Sequence, residues 1–313
     1  MKFSLSNLRQ VVLTATCSLF ATAAFSQTDA DGIMMSKNNF CTALQYSYSS
    51  WENYWEGTRK RDNENLGTVS TQMVGWMGNY GVSDKLNVLF SIPYVLTKAS
   101  AGTLHGVNGL QDLSFALKYK LITRNIAAGR LNVMAVGGYS FPVTNYVADY
   151  QPLALGLRSR NLTLRLTGDY EYKKYYVTAS AAYLHRSNIK IDRDYYYTDE
   201  GHYTNEVDMP DAATFQLRLG YRGGLLGAEA MLSNWTTLGG FDITRNNMPF
   251  PSNRMNATMA GVNLKCNPRA FPGMGLMAGA NYTLAGRNMG QAFGVSAGLS
   301  YVFDFSKKSV KSN

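Results

Sequence analysis

The last long segment of the chain alternates most cleanly. Phe293, Val295, Ala297, Leu299, Tyr301, Phe303 and Phe305 fall on one face, while Ala292, Gly294, Ser296, Gly298, Ser300 and Asp304 fall on the other, with Val302. A period of two marks a strand whose two faces meet unlike surroundings. The same rhythm runs through Leu113 to Leu121, Leu162 to Leu166 and Phe215 to Tyr221. Followed along the chain, it predicts strands near 41–52, 66–79, 84–95, 109–122, 130–141, 160–171, 174–186, 212–222, 226–237, 255–265, 273–284 and 290–305.

A soluble sandwich alternates too, so the connections carry the next step. Short turns follow the even strands, at Gly81-Val82-Ser83, Thr123 to Gly129, Tyr172-Lys173, Gly223 to Leu225 and between Pro268 and Pro272. Longer polar loops follow most odd strands, near 53–65, 96–108, 142–159, 187–211 and 238–254. Only the connection at Gly286-Arg287-Asn288 is brief. Short turns opposite long loops, an even strand count and both ends on one side describe a transmembrane barrel. Trp51, Trp55, Tyr139 and Trp235 gather toward one rim and Tyr119, Tyr170, Tyr221 and Tyr301 toward the other, as interfacial rings do. The predicted fold is all-β: a transmembrane antiparallel up-and-down β-barrel of about twelve strands over 41–305, followed by a periplasmic tail at 306–313.

Composition sharpens the setting. Residues 1–26 read as a secretory signal: Lys2 and Arg9, a short apolar run, then Ala24-Phe25-Ser26 at the cleavage position. Beyond it no stretch is long and apolar enough for a membrane helix, although 45% of residues are hydrophobic and only 16% charged. These features place the chain in a bacterial outer membrane, with membrane lipid and the barrel assembly machinery as its partners. The net charge of +9 is spread along strand ends and turns, which argues against nucleic-acid binding. Cys41 and Cys266 survive processing and stand either as a disulfide or as two thiols near one rim.

Twelve strands tilted ~40° close to a backbone diameter of about 24 Å, wide enough for a small molecule. The inward face is read as Val74, Trp76, Leu89, Met134, Val136 and Met277, with Asp112, Lys118, Lys120, Arg165, Asp169, Arg218, Arg222 and Glu229 as its charged members. This mixture fits a conduit for a small hydrophobic solute, and equally a packed, salt-bridged interior that stiffens a closed barrel. Residues 27–40 are either a periplasmic leader or a lumen plug whose acids meet Lys118, Lys120 and Arg222. Asp29-Ala30-Asp31-Gly32 has the start of a calcium loop without its later ligands. Pro93 interrupts a strand's hydrogen bonding, by opening a lateral gap or by ending the pairing.

Two adjoining stretches, Gly81-Val-Ser-Asp-Lys-Leu-Asn-Val-Leu-Phe-Ser-Ile-Pro-Tyr94 and Gly109-Leu-Gln-Asp-Leu-Ser-Phe-Ala-Leu-Lys-Tyr119, resemble the outer-membrane proteins grouped as the MetA-pathway of phenol degradation family. These are relatives of FadL-type transporters. The resemblance is sharpest over 66–122 and implies diffusion of small hydrophobic or aromatic compounds, with no contact residues to carry over. The segment before the first strand is shorter than a FadL-type hatch.

Catalytic signals are few. His105 and His202 fall in loops. His185 and Ser187 share a strand face in a His-x-Ser-Asn sequence like that of outer-membrane phospholipase A and lipid A deacylases, with Asn205, Glu206 or Asp208 as the orienting group. Ile189 replaces the glycine of the phospholipase pattern. The chain is therefore read as a non-enzyme, with a lipid esterase as the alternative. No metal or cofactor is expected: the histidines are scattered, no Cys-x-x-Cys exists, and no phosphate-binding glycine loop precedes a helix.

Overall fold

The computed structural model describes residues 28–243 and 249–306. The predicted signal segment and most of the predicted tail lie outside these residues.

Twelve long antiparallel strands form the barrel. In chain order they are β1 (Asn39–Trp51), β2 (Val69–Ser83), β3 (Leu86–Ala99), β4 (Asp112–Ile126), β5 (Gly129–Pro142), β6 (Asn161–Tyr172), β7 (Tyr175–Arg186), β8 (Ala212–Arg222), β9 (Leu226–Thr237), β10 (Asn256–Cys266), β11 (Met274–Arg287) and β12 (Phe293–Asp304). Each pairs with its chain neighbours, and β12 pairs back onto β1 from Phe293 opposite Ser50 to Asp304 opposite Asn39. Closure leaves no open sheet edge, the condition for a sheet surrounded by hydrocarbon.

The alternation becomes an inside and an outside. Leu44, Leu117, Leu164, Phe215, Leu264 and Leu299 lie outward and exposed, forming an apolar belt suited to lipid. Their sequence neighbours turn into the lumen. The turns are tighter than the sequence suggests. The strands run through Gly81 to Ser83 and through Thr123 to Ile126, leaving two-residue turns at Asp84-Lys85 and Ala127-Ala128. Ala127 and Lys173 hold positive φ there (50° and 57°), because so short a reversal demands it.

Three loops on the long-loop side share an apolar cluster that includes Ala148, Ile189, Tyr196, Val207 and Phe250. A second cluster joins Tyr146 and Leu155 of the β5–β6 loop to Val95 and Met73 on the lumen face of β3 and β2. That loop therefore folds over the mouth of the barrel.

Pro93 stays paired with Gly75 of β2, but the β3–β4 ladder ends at Ser91 and Ser114. Pairing resumes beyond it, where Asn108–Leu110 lies against Tyr94–Leu96. Cys41 and Cys266 are separate thiols. Cys41 shares the inward face of β1 with Ala43, whereas Cys266 shares the outward face of β10 with Leu264, so the barrel wall separates them.

Candidate functional site

The structure corrects two of the residues read as facing inward. Val74 and Trp76 lie on the outer face, 43% and 49% exposed, with Val74 opposite the outward Tyr46 and Tyr94. The Trp76 indole donates to Thr42 Oγ1 at 2.9 Å and meets Phe90 edge-on. The inward residues of this strand are Met73, Gly75, Met77 and Asn79. Both faces of β2 carry large apolar side chains, so alternation alone does not choose between them. Trp235 also differs from expectation: it lies under the Arg186 guanidinium, 5.1 Å from its ring centre, on the inner face.

The other inward candidates sit on lumen faces. Successive registers place Asn87, Lys118, Val136 and Arg165 in one transverse row, with Leu89, Ala116, Gly138 and Thr163 in the row above. Lys120 lies opposite Met134, beside a bulge that begins the wider turn end of β4. Asp112, near the long-loop mouth, accepts the Tyr146 hydroxyl at 2.6 Å.

Residues Thr28 to Met35 lie inside the barrel, organised by Lys118, and Lys37 and Asn38 bond to Asp84 and Gly81 at its short-turn rim. The Lys118 ammonium reaches Asp31 Oδ1 (2.8 Å) and the carbonyl oxygens of Asp31 (2.8 Å), Ile33 (2.9 Å) and Thr28 (3.0 Å). The Lys118 side chain is fully buried. The Asp-Ala-Asp-Gly stretch that begins like a calcium loop thus wraps a cation after all, and the cation is a lysine. Burial pushes the Asp31 carboxyl upward, but the charge and hydrogen bond of Lys118 prevail and hold it below the ordinary range. Asp29 adds an ion pair to Arg165 at 3.3 Å. Gly32 presses on Asp169 so closely that a Cβ there would fall 2.1 Å from the carboxyl carbon.

This segment stands between two cavities. One, of about 280 Å³, is bounded by Thr28 and Asp29 on one side and by β2 to β6 on the other, with Met77, Leu89 and Val136 among its walls. Its hydroxyls come from Ser91, Ser114, Ser140 and Thr163. The other, of about 350 Å³, lies against Asp31 and Ile33 and is walled by Tyr176, Arg218, Arg222, Glu229, Lys265 and Met277. Here the charges are paired. Arg218 bridges Glu229 at 3.2 Å, and Glu229 also accepts from Tyr176 (2.6 Å) and Asn263 (3.0 Å). Arg222 grips Asp169 with both terminal nitrogens and lies 3.6 Å above the Tyr176 ring. Tyr176 has room because Gly220 beside it carries no side chain.

On the lipid side of the long-loop rim, His185 Nδ1 lies 3.1 Å from Asp211 Oδ1. Asp211 therefore takes the orienting place expected of Asn205, Glu206 or Asp208; Glu206 and Asp208 instead accept from Asn188. The Ser187 hydroxyl accepts the Arg160 backbone N–H at 2.9 Å. Among the described residues no hydrogen bond joins His185 to Ser187, and no group of three potential ligands gathers for a metal.

No protein-family profile and no curated protein sequence matches the chain. Solved structures do. The COG4313 outer membrane channel from Pseudomonas putida F1 superposes with a TM-score of 0.68 at 17% identity, over 90% of this chain and 100% of that one. The fold is that of an outer-membrane β-barrel. The translocator domain of the autotransporter NalP from Neisseria meningitidis gives a TM-score of 0.47 at 13% identity, over 95% of each chain. The CymD monoaromatic hydrocarbon channel gives 0.39 at 10% identity, over 87% of this chain and 90% of that one. These last two superpose too loosely to carry an argument.

Proposed function

We propose that this barrel passes small hydrophobic or aromatic solutes across the outer membrane by diffusion, with residues 28–38 as its barrier. The observation that carries this reading is the cavity of about 280 Å³ enclosed by Met77, Leu89 and Val136 inside a barrel otherwise rich in charge. A closed structural barrel needs no such space; packing would fill it. Diffusion down a gradient requires neither cofactor nor energy coupling. Membrane lipid surrounds the apolar belt, and the barrel assembly machinery inserts the chain.

The test is uptake of radiolabelled naphthalene by vesicles whose outer leaflet is lipopolysaccharide, a barrier that slows bare diffusion. Protein-dependent uptake, abolished by Gly138→Trp in the cavity wall, is the expected result. Uptake no greater than in empty vesicles, both for the native chain and for Lys118→Met, overturns it in favour of the closed barrel.

The geometry at the long-loop rim bears on the esterase alternative. A nucleophile needs its base within reach, and Ser187 instead caps a backbone amide. Absence of phospholipid hydrolysis by the purified chain is the expected result, and hydrolysis lost in Ser187→Ala would reverse that reading.

A further inference from the structure

Arginines descend one wall of the lumen at equal intervals. Along β7, Arg186 stands at the long-loop end, Arg165 lies opposite Ala182, and Arg218 opposite Thr178. The Arg222 amide bonds to the carbonyl of Lys174. The four levels are thus four residues apart, or about 13 Å each at the usual strand rise. All four side chains turn inward. Arg186 forms no salt bridge among the described residues, and the Nε atoms of Arg165 and Arg222 are buried without a partner. Across the lumen the apolar wall offers Met77 and Leu89, while Val136 stands directly beside Arg165 in the same row.

The N-terminal segment shows what suits this surface. Its two carboxylates, Asp29 and Asp31, are the groups that neutralise Arg165 and Lys118. When the segment leaves, both cations lose their partners together. An incoming anion then finds the places the segment's own acids have vacated.

We propose that the solutes of this lumen carry a carboxylate on an apolar body, the head stepping along the arginines while the body rides the apolar wall. Its lower station is the cavity of about 350 Å³ beside Arg218 and Arg222. Arginine suits a carboxylate because its planar fork donates two parallel hydrogen bonds. The proposal rests on the conduit reading and narrows its solute class.

The experiment is calorimetric titration of the full mature chain in zwitterionic phospholipid nanodiscs, with empty nanodiscs as the blank. Benzoate is compared with benzylammonium, which has a similar body and the opposite charge. Benzoate should bind saturably and at least tenfold more tightly, and weaken as sodium chloride is raised. Arg218→Gln should cost about tenfold in benzoate affinity, the size of one lost charge-assisted contact. Asp31→Asn, which removes the competing carboxylate, should raise it several-fold; this second variant keeps the test sound should Arg218→Gln fail to fold. Equal binding of the two ions, or no benzoate binding in either the native chain or Asp31→Asn, overturns the proposal. Naphthalene uptake without benzoate binding sinks this inference alone, whereas benzoate binding without any uptake sinks the conduit and leaves a closed anion site.

Discussion

Two sides of one lumen, made by the same alternation, reach opposite chemistry. Toward β2 to β5 the inward positions above the Lys118 row are Met77, Leu89, Ala116 and Gly138, edged by serine hydroxyls. Toward β6 to β9, at that row and nearer the turns, the inward positions are Arg165, Asp169, Arg218, Arg222 and Glu229, nearly all paired. The apolar side leaves a cavity because its residues are small or flexible. The charged side leaves one because its residues must extend to find partners, and Tyr176 and Gly220 hold them apart. A strand period therefore fixes which residues face a lumen and leaves open what the lumen prefers. The N-terminal segment lies between the two sides, its acids pairing with Lys118 of β4 and Arg165 of β6.

The largest expected effect comes from breaking that pairing. Lys118→Met leaves Asp31 buried without its cation, which costs about 3–5 kcal/mol against the docked segment. Naphthalene uptake should rise at least tenfold, and added protease should cleave near residues 28–38; an unchanged rate would show that the segment is no barrier. Next comes Gly138→Trp, which fills the apolar cavity. It should abolish naphthalene uptake yet leave benzoate binding within about twofold, since a difference of ~0.4 kcal/mol is all that allows. Loss of both would mean the two sides act as one chamber. Gly32→Ala drives a methyl group into Asp169. It should loosen the segment less than Lys118→Met does, read as a partial rise in uptake.

Acid should act last and least. Because the Asp31 carboxyl is held below its ordinary range, its pairing contributes fully above about pH 4, the unfolded carboxylate value, and is lost only as pH falls further through the folded one. Uptake should thus be flat from neutrality down to about pH 4 and rise in stronger acid. A rise already at about pH 6 would point to a group other than Asp31.

Much of this was legible in the residues. Strand positions followed from alternation, and β8 and β9 fall where the pattern puts them, at 212–222 and 226–237. The inward charges at Lys118, Arg165, Asp169, Arg218 and Arg222 were readable because each has an outward leucine or aromatic beside it, and Glu229 because it alternates with outward Ala228 and Ala230. Val74 and Trp76 were not, since Met73 and Met77 give β2 a second apolar face. Arg186 was overlooked although the signal existed: an outward His185 forces its neighbour inward. The cage around Lys118 was beyond the sequence, because three of its four oxygens are backbone carbonyls that any residue supplies.

That cage differs from an ion site in one respect that matters for the living membrane. A free cation leaves when its concentration falls or a chelator competes for it. The ammonium of Lys118 is tied to β4, so its local concentration stays fixed whatever the medium holds. If the segment is the proposed barrier, such a tie makes it deaf to calcium, chelators and dilution alike, and above about pH 4 it answers to something that enters the barrel and competes for the lysine from within.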